Sequence, residues 1–305
     1  MHYREHGGAV LATSINKYCY VTCRQLPPFF EHKNRIVYGK IESTKTIDEI
    51  QHPSVRECLR YMKAEGIELH YDGDLPARAG MGTSSAFTVG LINALSALKG
   101  IRYTQEQIAH IAIHLEQDMM KENVGSQDQV TAAVGGFNKI TFSDKYEFEV
   151  WPVTAQNIRI LPEYLMLFFT GFSRTASEIA REQIKKSPKK KKELEVLAGF
   201  VDSAIDVLHS GDILDFGRLL DRSWRIKRNI TNLITNDMID AIYKTAMKAG
   251  ALGGKLLGAG GGGFMLFFVE PEKQKKVKEM LGDTLLQVPF SFEDRGSQLI
   301  YYTKE

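Results

Sequence analysis

Apolar and polar residues follow two different periods along this chain, and the two periods predict different secondary structures. Alternation of apolar and polar residues predicts a strand at 67–73, and strand-like composition predicts strands at 9–24, 34–41, 137–142 and 147–153. Spacing of three and four residues predicts helices at 47–66, from about 83 to 98, at 104–122, before Gly135, and at about 272–282. In the second of these helices the spacing predicts one buried face, formed by Phe87, Leu91, Ile92, Leu95 and Leu98, and the third begins with the capping-box spacing of Thr104 and Gln107. The apolar segment RILPEYLMLFFTG (159–171) predicts a further strand that ends in glycine.

The segment DLPARAGMGTSSAFTVGLINAL (74–95) joins a predicted strand to a predicted helix through a glycine-rich loop. We expect Thr83, Ser84 and Ser85 at the N-cap of this helix, beside backbone N–H groups that have no intrahelical partner. These donors and the positive end of the helix dipole favour a phosphate-binding site. The loop has neither the lysine of a P-loop nor the third glycine of a dinucleotide fingerprint, and a capped helix after a turn remains the alternative.

The order of the predicted elements favours an α+β fold with two domains. Strands and helices do not alternate strictly, which argues against a doubly wound parallel sheet, and no repeat of 20–50 residues is visible. The strand pattern restarts near residue 155. With 305 residues the chain is long enough for two domains, which we place at 1–155 and 156–305.

Composition and charge exclude several classes of function. The net charge of +2 argues against a nucleic-acid-binding protein with a broad basic surface. Three cysteines without CxxC spacing predict neither a zinc site nor a disulfide framework and fit a reducing compartment. No apolar run reaches membrane-spanning length, so we expect a soluble cytoplasmic protein without a membrane partner. The lysine-rich segment near 185–192 favours a solvated loop over a site for nucleic acid or anionic lipid.

Three features outside the first loop have residue types suited to phosphoryl transfer. Asp128 follows a glycine turn, where it either caps a short helix or acts as a positioned carboxylate toward a hydroxyl. Glu116 lies beside the apolar face of its helix and is either a surface glutamate or a ligand for a hard divalent cation. The run GAGGGG (258–263) precedes an apolar strand, and its five glycines favour close approach of a ligand to the backbone.

Taken together, the segments PARAGMGTSSA, GSQDQ and GGKLLGAGGGGF resemble the second motif, the central aspartate segment and the third motif of the GHMP kinases. The resemblance covers residues 3 to 302. It implies an α+β fold with an N-terminal domain like ribosomal protein S5 domain 2 and a ferredoxin-like C-terminal domain. Within the family, VGSQDQVTAAVGGFN, FFTGFSRTAS and SWRIKR are most similar to the D-glycero-D-manno-heptose 7-phosphate kinases of bacterial surface-polysaccharide synthesis.

The resemblance also implies the cofactors, ATP and Mg2+, and the roles of individual residues. Ser84 matches the metal-binding hydroxyl, Glu116 the acidic metal ligand, and Asp128 the residue that acts on the acceptor hydroxyl. The residues implied to contact the nucleotide are Gly80, Met81, Gly82, Thr83, Ser84, Ser85, Gly258, Gly260, Gly261 and Gly262. Such a site works by positioning its substrates and by neutralising charge on the transferred phosphoryl group.

The acceptor implied by the resemblance is a sugar or sugar phosphate, and we expect Arg174 and Lys255 to contact a phosphate that it already carries. A galactokinase-like or fucokinase-like activity is the alternative acceptor class. A non-catalytic sensor of sugar and nucleotide is the alternative from another functional class, because the family's usual first strand and its GGGTD-like turn have no counterpart in MHYREHGG. We expect that loss to remove part of the acceptor site. The sequence does not predict the oligomeric state.

Overall fold

The computed structural model of the protein describes residues 2–77, 79–171, 176–282 and 285–303. In chain order, the α-helices are α1 (His2–His6), α2 (Pro53–Met62), α3 (Thr83–Leu98), α4 (Gln105–His114), α5 (Gln127–Val134), α6 (Ala176–Lys186), α7 (Lys191–Ser210), α8 (Ile213–Lys227), α9 (Asp237–Ala249) and α10 (Pro271–Leu281).

The strands are β1 (Gly8–Ile15), β2 (Cys19–Gln25), β3 (Asn34–Val37), β4 (Ile41–Thr44), β5 (Ile67–Gly73), β6 (Phe137–Phe142), β7 (Phe148–Pro152), β8 (Leu165–Phe169), β9 (Gly253–Leu256), β10 (Phe264–Phe268), β11 (Leu286–Gln287) and β12 (Phe292–Glu293). This mixture of helices and mainly antiparallel sheets confirms the predicted α+β class.

Contacts between residues divide the chain into two compact units. Unit 1 comprises Met1–Thr13, Arg78–Met81 and Phe137–Phe292, and unit 2 comprises Ser14–Ala77, Gly82–Gly136 and Glu293–Glu305. The units are groups of contacts rather than continuous segments, and the domain boundary at residue 155 stays a prediction. Within the described ranges, none of the helices combines the length and apolar content needed to cross a lipid bilayer.

Unit 2 is built on one sheet with the strand order β2-β5-β3-β4. Strand β5 pairs antiparallel with β2 and parallel with β3. Helix α3 packs against β2 and against α2, α4 and α5. As the helical spacing predicted, Leu91, Ile92 and Leu95 of α3 are fully buried. The sheet and α3 therefore form the core of unit 2.

Unit 1 contains two four-stranded sheets, with the orders β12-β1-β6-β7 and β11-β8-β10-β9. Strand β10 lies between β8 and β9 and is antiparallel to both. One face of this second sheet buries Phe168 and Phe267 in a core that also contains Trp224 of α8 and residues of α9 and α10. This core supports the glycine run that leads into β10.

Two of the predicted strands are wrong in their extent. The segment 9–24 is not one strand but two, because the chain turns after Ile15, where Lys17 N donates to Ile15 O at 2.7 Å. β1 then pairs with β6, whereas β2 pairs with β5 in another sheet. The segment 34–41 likewise contains β3 and the start of β4, joined by a turn in which Tyr38 N donates to Lys40 O.

The helix and strand boundaries near proline also differ from the prediction. Helix α2 begins at Pro53 rather than near residue 47, because proline suits the first turn, whose N–H groups need no helical partner. In the apolar segment 159–171, Leu161–Tyr164 forms a 3-10 turn around Pro162, and only Leu165–Phe169 is a strand. Apolar composition alone did not distinguish these conformations.

Candidate active site

The N-cap of helix α3 is a glycine instead of a hydroxyl residue. Its N-cap is Gly82, which has φ 68° in the left-handed region, and no side chain caps the helix. Thr83, Ser84 and Ser85 form the first helical turn, so their prediction as N-cap residues is wrong. The absence of a side-chain cap is consistent with the first N–H groups serving a ligand at the positive end of the dipole.

Within unit 1, Gly80 of the loop before α3 lies against Gly258 of the loop before β10. A Cβ on Gly80 would lie 2.8 Å from Leu257 O, and a Cβ on Gly258 would lie 2.4 Å from Gly80 Cα. Real Cβ atoms do not approach backbone this closely, so both positions require glycine. The structure thus brings together two of the segments that the sequence predicts to contact the nucleotide.

The remainder of the glycine run meets backbone of the protein itself. A Cβ on Gly263 would lie 2.2 Å from Ala79 O, and one on Gly260 would lie 2.7 Å from Ile234 Cα. Gly261 N also donates to Ile234 O at 2.9 Å. Packing of backbone on backbone therefore accounts for part of the glycine content, for which the sequence alone favours close approach of a ligand.

Glu116 is fully buried in unit 2, within a π-helical turn formed by Leu115–Met119. Its Oε2 accepts hydrogen bonds from Ser85 Oγ at 2.9 Å and from Gln129 Nε2. Burial raises the pKa of Glu116 to about 7, against the opposing effect of the hydrogen bonds from Ser85 and Gln129 and of the nearby Thr88 hydroxyl, which itself donates to Ser84 O. The alternative of an ordinary surface glutamate is therefore wrong.

The second oxygen of this carboxylate, Oε1, is buried and has no hydrogen-bond partner among the described residues. A buried carboxylate oxygen without a donor is costly unless a cation or water meets it, and Mg2+ prefers such oxygen ligands. Ser84 is exposed in the first turn of α3 and its hydroxyl is of the type that Mg2+ accepts. The unpartnered oxygen of Glu116 and the hydroxyl of Ser84 are thus oxygen donors of the type that fits a magnesium ion.

Asp128 is the second residue of α5 and lies beside the start of α3 in unit 2. A Cβ on Gly82 would lie 3.3 Å from Asp128 Cγ and 3.5 Å from its Oδ2. Gln127 Nε2 donates to Asp128 Oδ1 at 3.1 Å. The N-cap position of α5 belongs to Ser126, so Asp128 lies in the first turn of the helix rather than at its cap.

Lys255 lies on β9, directly opposite Leu266 of β10. The side chain is half-buried, and its burial lowers the pKa of the ammonium group. Among the residues that the structure describes, no carboxylate forms an ion pair with Lys255. Burial is unfavourable for a lysine without such a partner, and a bound anion would offset that cost. Arg174, the other predicted contact to an acceptor phosphate, lies outside the described residues.

Sequence reasoning missed two members of the cluster around Glu116. The sequence motifs predict Ser85 as an N-cap residue and as a nucleotide contact, and they do not identify Gln129. A signal for Gln129 was present, because it follows Asp128 directly in GSQDQ and a glutamine in a short helix after a glycine turn has a polar group to satisfy. Its partner Glu116 could not be identified without the tertiary structure.

Comparison with known proteins defines the class to which this fold and site belong. The model of the GHMP kinases N terminal domain matches residues 52–136, and the model of the GHMP kinases C terminal domain matches residues 204–285. The chain belongs to the GHMP kinase family, as the three motifs predicted. It is therefore a phosphotransferase with the two-domain GHMP kinase fold, and kinases of this family take their phosphoryl group from ATP.

Individual relatives lie among several kinases of this family. D-glycero-alpha-D-manno-heptose 7-phosphate kinase from Campylobacter jejuni is 34% identical over 240 residues, which cover 77% of this chain and 70% of that protein. A galactokinase from Pyrococcus furiosus is 26% identical over 326 residues, covering 92% of this chain and 87% of that protein. The solved structure of a D-glycero-D-manno-heptose 1-phosphate kinase from Bacteriodes thetaiotaomicron has a TM-score of 0.73 at 23% identity and covers 99% of this chain and 93% of its own.

Proposed function

We propose that this protein phosphorylates D-glycero-D-manno-heptose 7-phosphate at its anomeric hydroxyl, using ATP, in the synthesis of sugar nucleotides for surface polysaccharide. The observation that carries the choice of sugar is the 34% identity to the Campylobacter jejuni heptose 7-phosphate kinase. The use of ATP as donor favours the cytoplasm as the location of the reaction.

In this proposal the phosphates of ATP bind to the uncapped N–H groups of Gly82–Ser85 and to the backbone of Gly80 and Met81. The positive end of the α3 dipole supports this position for an anion. Gly258 lies against Gly80 in unit 1. From the third motif we also assign backbone of Gly258, Gly260, Gly261 and Gly262 to the nucleotide, with the N–H of Gly261 already donated to Ile234 O. No side chain at these glycines obstructs the approach of the phosphates.

Glu116 and Ser84 are the protein ligands that we assign to Mg2+. The unpartnered Oε1 of Glu116 supports this assignment, because a buried carboxylate needs a cation or a donor. Bound there, the ion would neutralise charge on the phosphate oxygens of ATP. Ser85 and Gln129 hold the other carboxylate oxygen, so the side chain of Glu116 has a fixed orientation.

Asp128 orients the acceptor hydroxyl and receives its proton. As the sugar oxygen forms its bond to the γ-phosphorus, the bond from that phosphorus to the β–γ bridging oxygen breaks, and ADP leaves with the electron pair. The hydroxyl proton passes to the Asp128 carboxylate and from there to solvent. The position of Asp128 beside Gly82, next to the proposed phosphate site, supports this role.

We propose that Lys255 binds the phosphate that the acceptor already carries. Arg174 is the second residue that the sequence predicts for this contact. A half-buried ammonium on β9, with its pKa lowered by burial, gains a favourable partner when a phosphate binds. A galactokinase-like activity on an unphosphorylated sugar is the second candidate function. This second candidate is supported by the similarity to the Pyrococcus furiosus galactokinase, which covers 92% of this chain.

The test is a coupled ADP-release assay with four acceptors: heptose 7-phosphate, the unphosphorylated heptose, galactose and fucose. We expect a preference of at least about a hundredfold in kcat/KM for heptose 7-phosphate, because a charged phosphate contact contributes about 1.5–3 kcal/mol and positioning adds to it. Phosphorus NMR of the product should show a new anomeric phosphate. Preference for galactose or fucose would replace the heptose proposal with the second candidate.

A further inference from the structure

The two oxygens of the Glu116 carboxylate have very different surroundings. Oε2 accepts hydrogen bonds from Ser85 Oγ and from Gln129 Nε2, whereas Oε1 is buried and has no hydrogen-bond partner among the described residues. Two donors on the same oxygen fix the rotation of the carboxylate about its terminal bond. They also leave the whole acceptor capacity of Oε1 unused in a fully buried position.

Gln129 shows the same asymmetry in its own amide group. The side chain is fully buried, and its nitrogen faces Glu116 because a carboxylate oxygen can only accept. The opposite end, Gln129 Oε1, is buried and has no hydrogen-bond partner among the described residues. Each such group costs about 1–3 kcal/mol, so a fold that retains two of them in one cluster invites a functional explanation.

We propose that Gln129 is a positioning residue for the metal ligand. Its Nε2, together with Ser85, holds Glu116 so that Oε1 is the oxygen that would bind the divalent cation, and its own unpartnered Oε1 would add a second acceptor to the same cluster. This inference rests on the proposed magnesium site at Glu116. Such supporting residues around a ligand typically change metal affinity by about 10–100-fold when they are replaced.

The place of Gln129 in the chain gives the arrangement a second consequence. Asp128 and Gln129 are consecutive residues of α5, and Gln129 is bonded to Glu116 of the π-helical turn. One short helix therefore carries both the residue proposed to orient the acceptor and the residue that holds the metal ligand. The bond from Gln129 to Glu116 keeps these two functions in a fixed relation within unit 2.

The experiment compares the affinity of AMP-PNP with and without Mg2+ by calorimetry on the full chain. The measured quantity is the magnesium gain, the ratio of the dissociation constant in EDTA to that in MgCl2. Gln129→Met has a similar length but no polar atoms, and Gln129→Asn retains the amide on a side chain too short to reach Glu116. We expect the magnesium gain to fall by at least about tenfold in both variants. The affinity measured in EDTA should stay unchanged.

Gln117→Met is the matched control. Gln117 is also a buried glutamine, it neighbours Glu116 in the π-helical turn, and it donates to Ser126 Oγ at 3.1 Å rather than to the carboxylate. We expect this control to keep the magnesium gain within about threefold, a difference far below the loss expected at a supporting residue. The affinity in EDTA serves as an internal measure of folding, and Gln129→Asn carries the test if Gln129→Met does not fold.

Glu116→Gln separates failure of this inference from failure of the proposed function. If Glu116→Gln retains the full magnesium gain, the metal is not at Glu116 and the proposed site itself is wrong. If Glu116→Gln loses the gain while Gln129→Met and Gln129→Asn keep it, only the role of Gln129 is overturned. The inference also requires that Gln129→Met has no further effect in a Glu116→Gln background, and an equal loss in both backgrounds would contradict it.

Discussion

Gly80 and Gly258 contact each other so closely that a Cβ on Gly258 would lie 2.4 Å from the Cα of Gly80. Both residues have positive φ, 79° and 67°, and both belong to segments that the sequence assigned to the nucleotide. The contact fixes the glycine run before β10 against the loop before α3. We therefore expect the proposed phosphate site at Gly80 to depend on this contact between Gly80 and Gly258.

Replacing Gly258 by alanine should destabilise the protein by more than the left-handed conformation alone explains. That conformation costs a residue with a Cβ about 1–2 kcal/mol, and the contact with Gly80 adds displacement of backbone. Gly100→Ala is the control, because Gly100 has φ 69° but open space where its Cβ would lie. Urea unfolding should show a clearly larger loss for Gly258→Ala, and equal losses would mean that the loops separate readily.

The metal-free protein should lose stability as pH rises through the range set by Glu116. The pKa of Glu116 is about 7 in the folded protein and 4.5 is the ordinary value. Between these values the folded state holds a proton that the unfolded chain has lost, so this group lowers the free energy of unfolding as pH increases and stops doing so above about 7. The total change is up to about 3 kcal/mol.

The measurement for Glu116 is urea unfolding of the wild type and of Glu116→Gln in EDTA at pH 5 and pH 7.5. The free energy of unfolding of Glu116→Gln should increase relative to that of the wild type between pH 5 and pH 7.5, because glutamine does not titrate. Glu65→Gln, at an exposed position, is the control and should run parallel to the wild type. If Glu116→Gln also runs parallel, the carboxylate is not desolvated in the way that its burial indicates.

Local sequence patterns predicted the elements that position the site. The helical spacing of Phe87, Leu91 and Leu95 identified the buried face of α3, and the capping box at the start of α4 is present, with Gln107 N donating to Thr104 Oγ1 at 3.2 Å. These features depend on residues within one or two helical turns of each other, so the sequence contains all of the necessary information.

Contacts between distant segments could not be predicted in this way. The spacing in α4 placed Glu116 at the edge of the apolar face, but the π-helical turn Leu115–Met119 shifts the register, and Glu116 becomes fully buried. No local pattern shows that Gln129 donates to Glu116 or that Gly258 meets Gly80. These contacts depend on how α3, α4 and α5 pack and on how the two loops of unit 1 meet.

Lys255→Met should weaken binding of the phosphorylated acceptor without affecting ATP. Loss of a charged hydrogen bond to phosphate costs about 1.5–3 kcal/mol, which corresponds to a rise in acceptor KM of about tenfold to a hundredfold. Lys248→Met, at an exposed position on α9, is the control and should behave like the wild type. An equal effect of Lys255→Met on heptose 7-phosphate and on the unphosphorylated heptose would show that Lys255 does not contact the phosphate.

The central claim is that Asp128 acts on the acceptor hydroxyl, and the turnover of Asp128→Asn tests it most directly. Asparagine retains the size of the side chain and most of its hydrogen bonding but removes the charge that receives the proton. We predict that kcat with heptose 7-phosphate falls by at least about a hundredfold. The affinity for AMP-PNP and the thermal stability should change little, as they should in the exposed control Asp144→Asn. Wild-type turnover in Asp128→Asn, or loss of its folded structure, would contradict the mechanism and leave Asp128 with a structural role in α5.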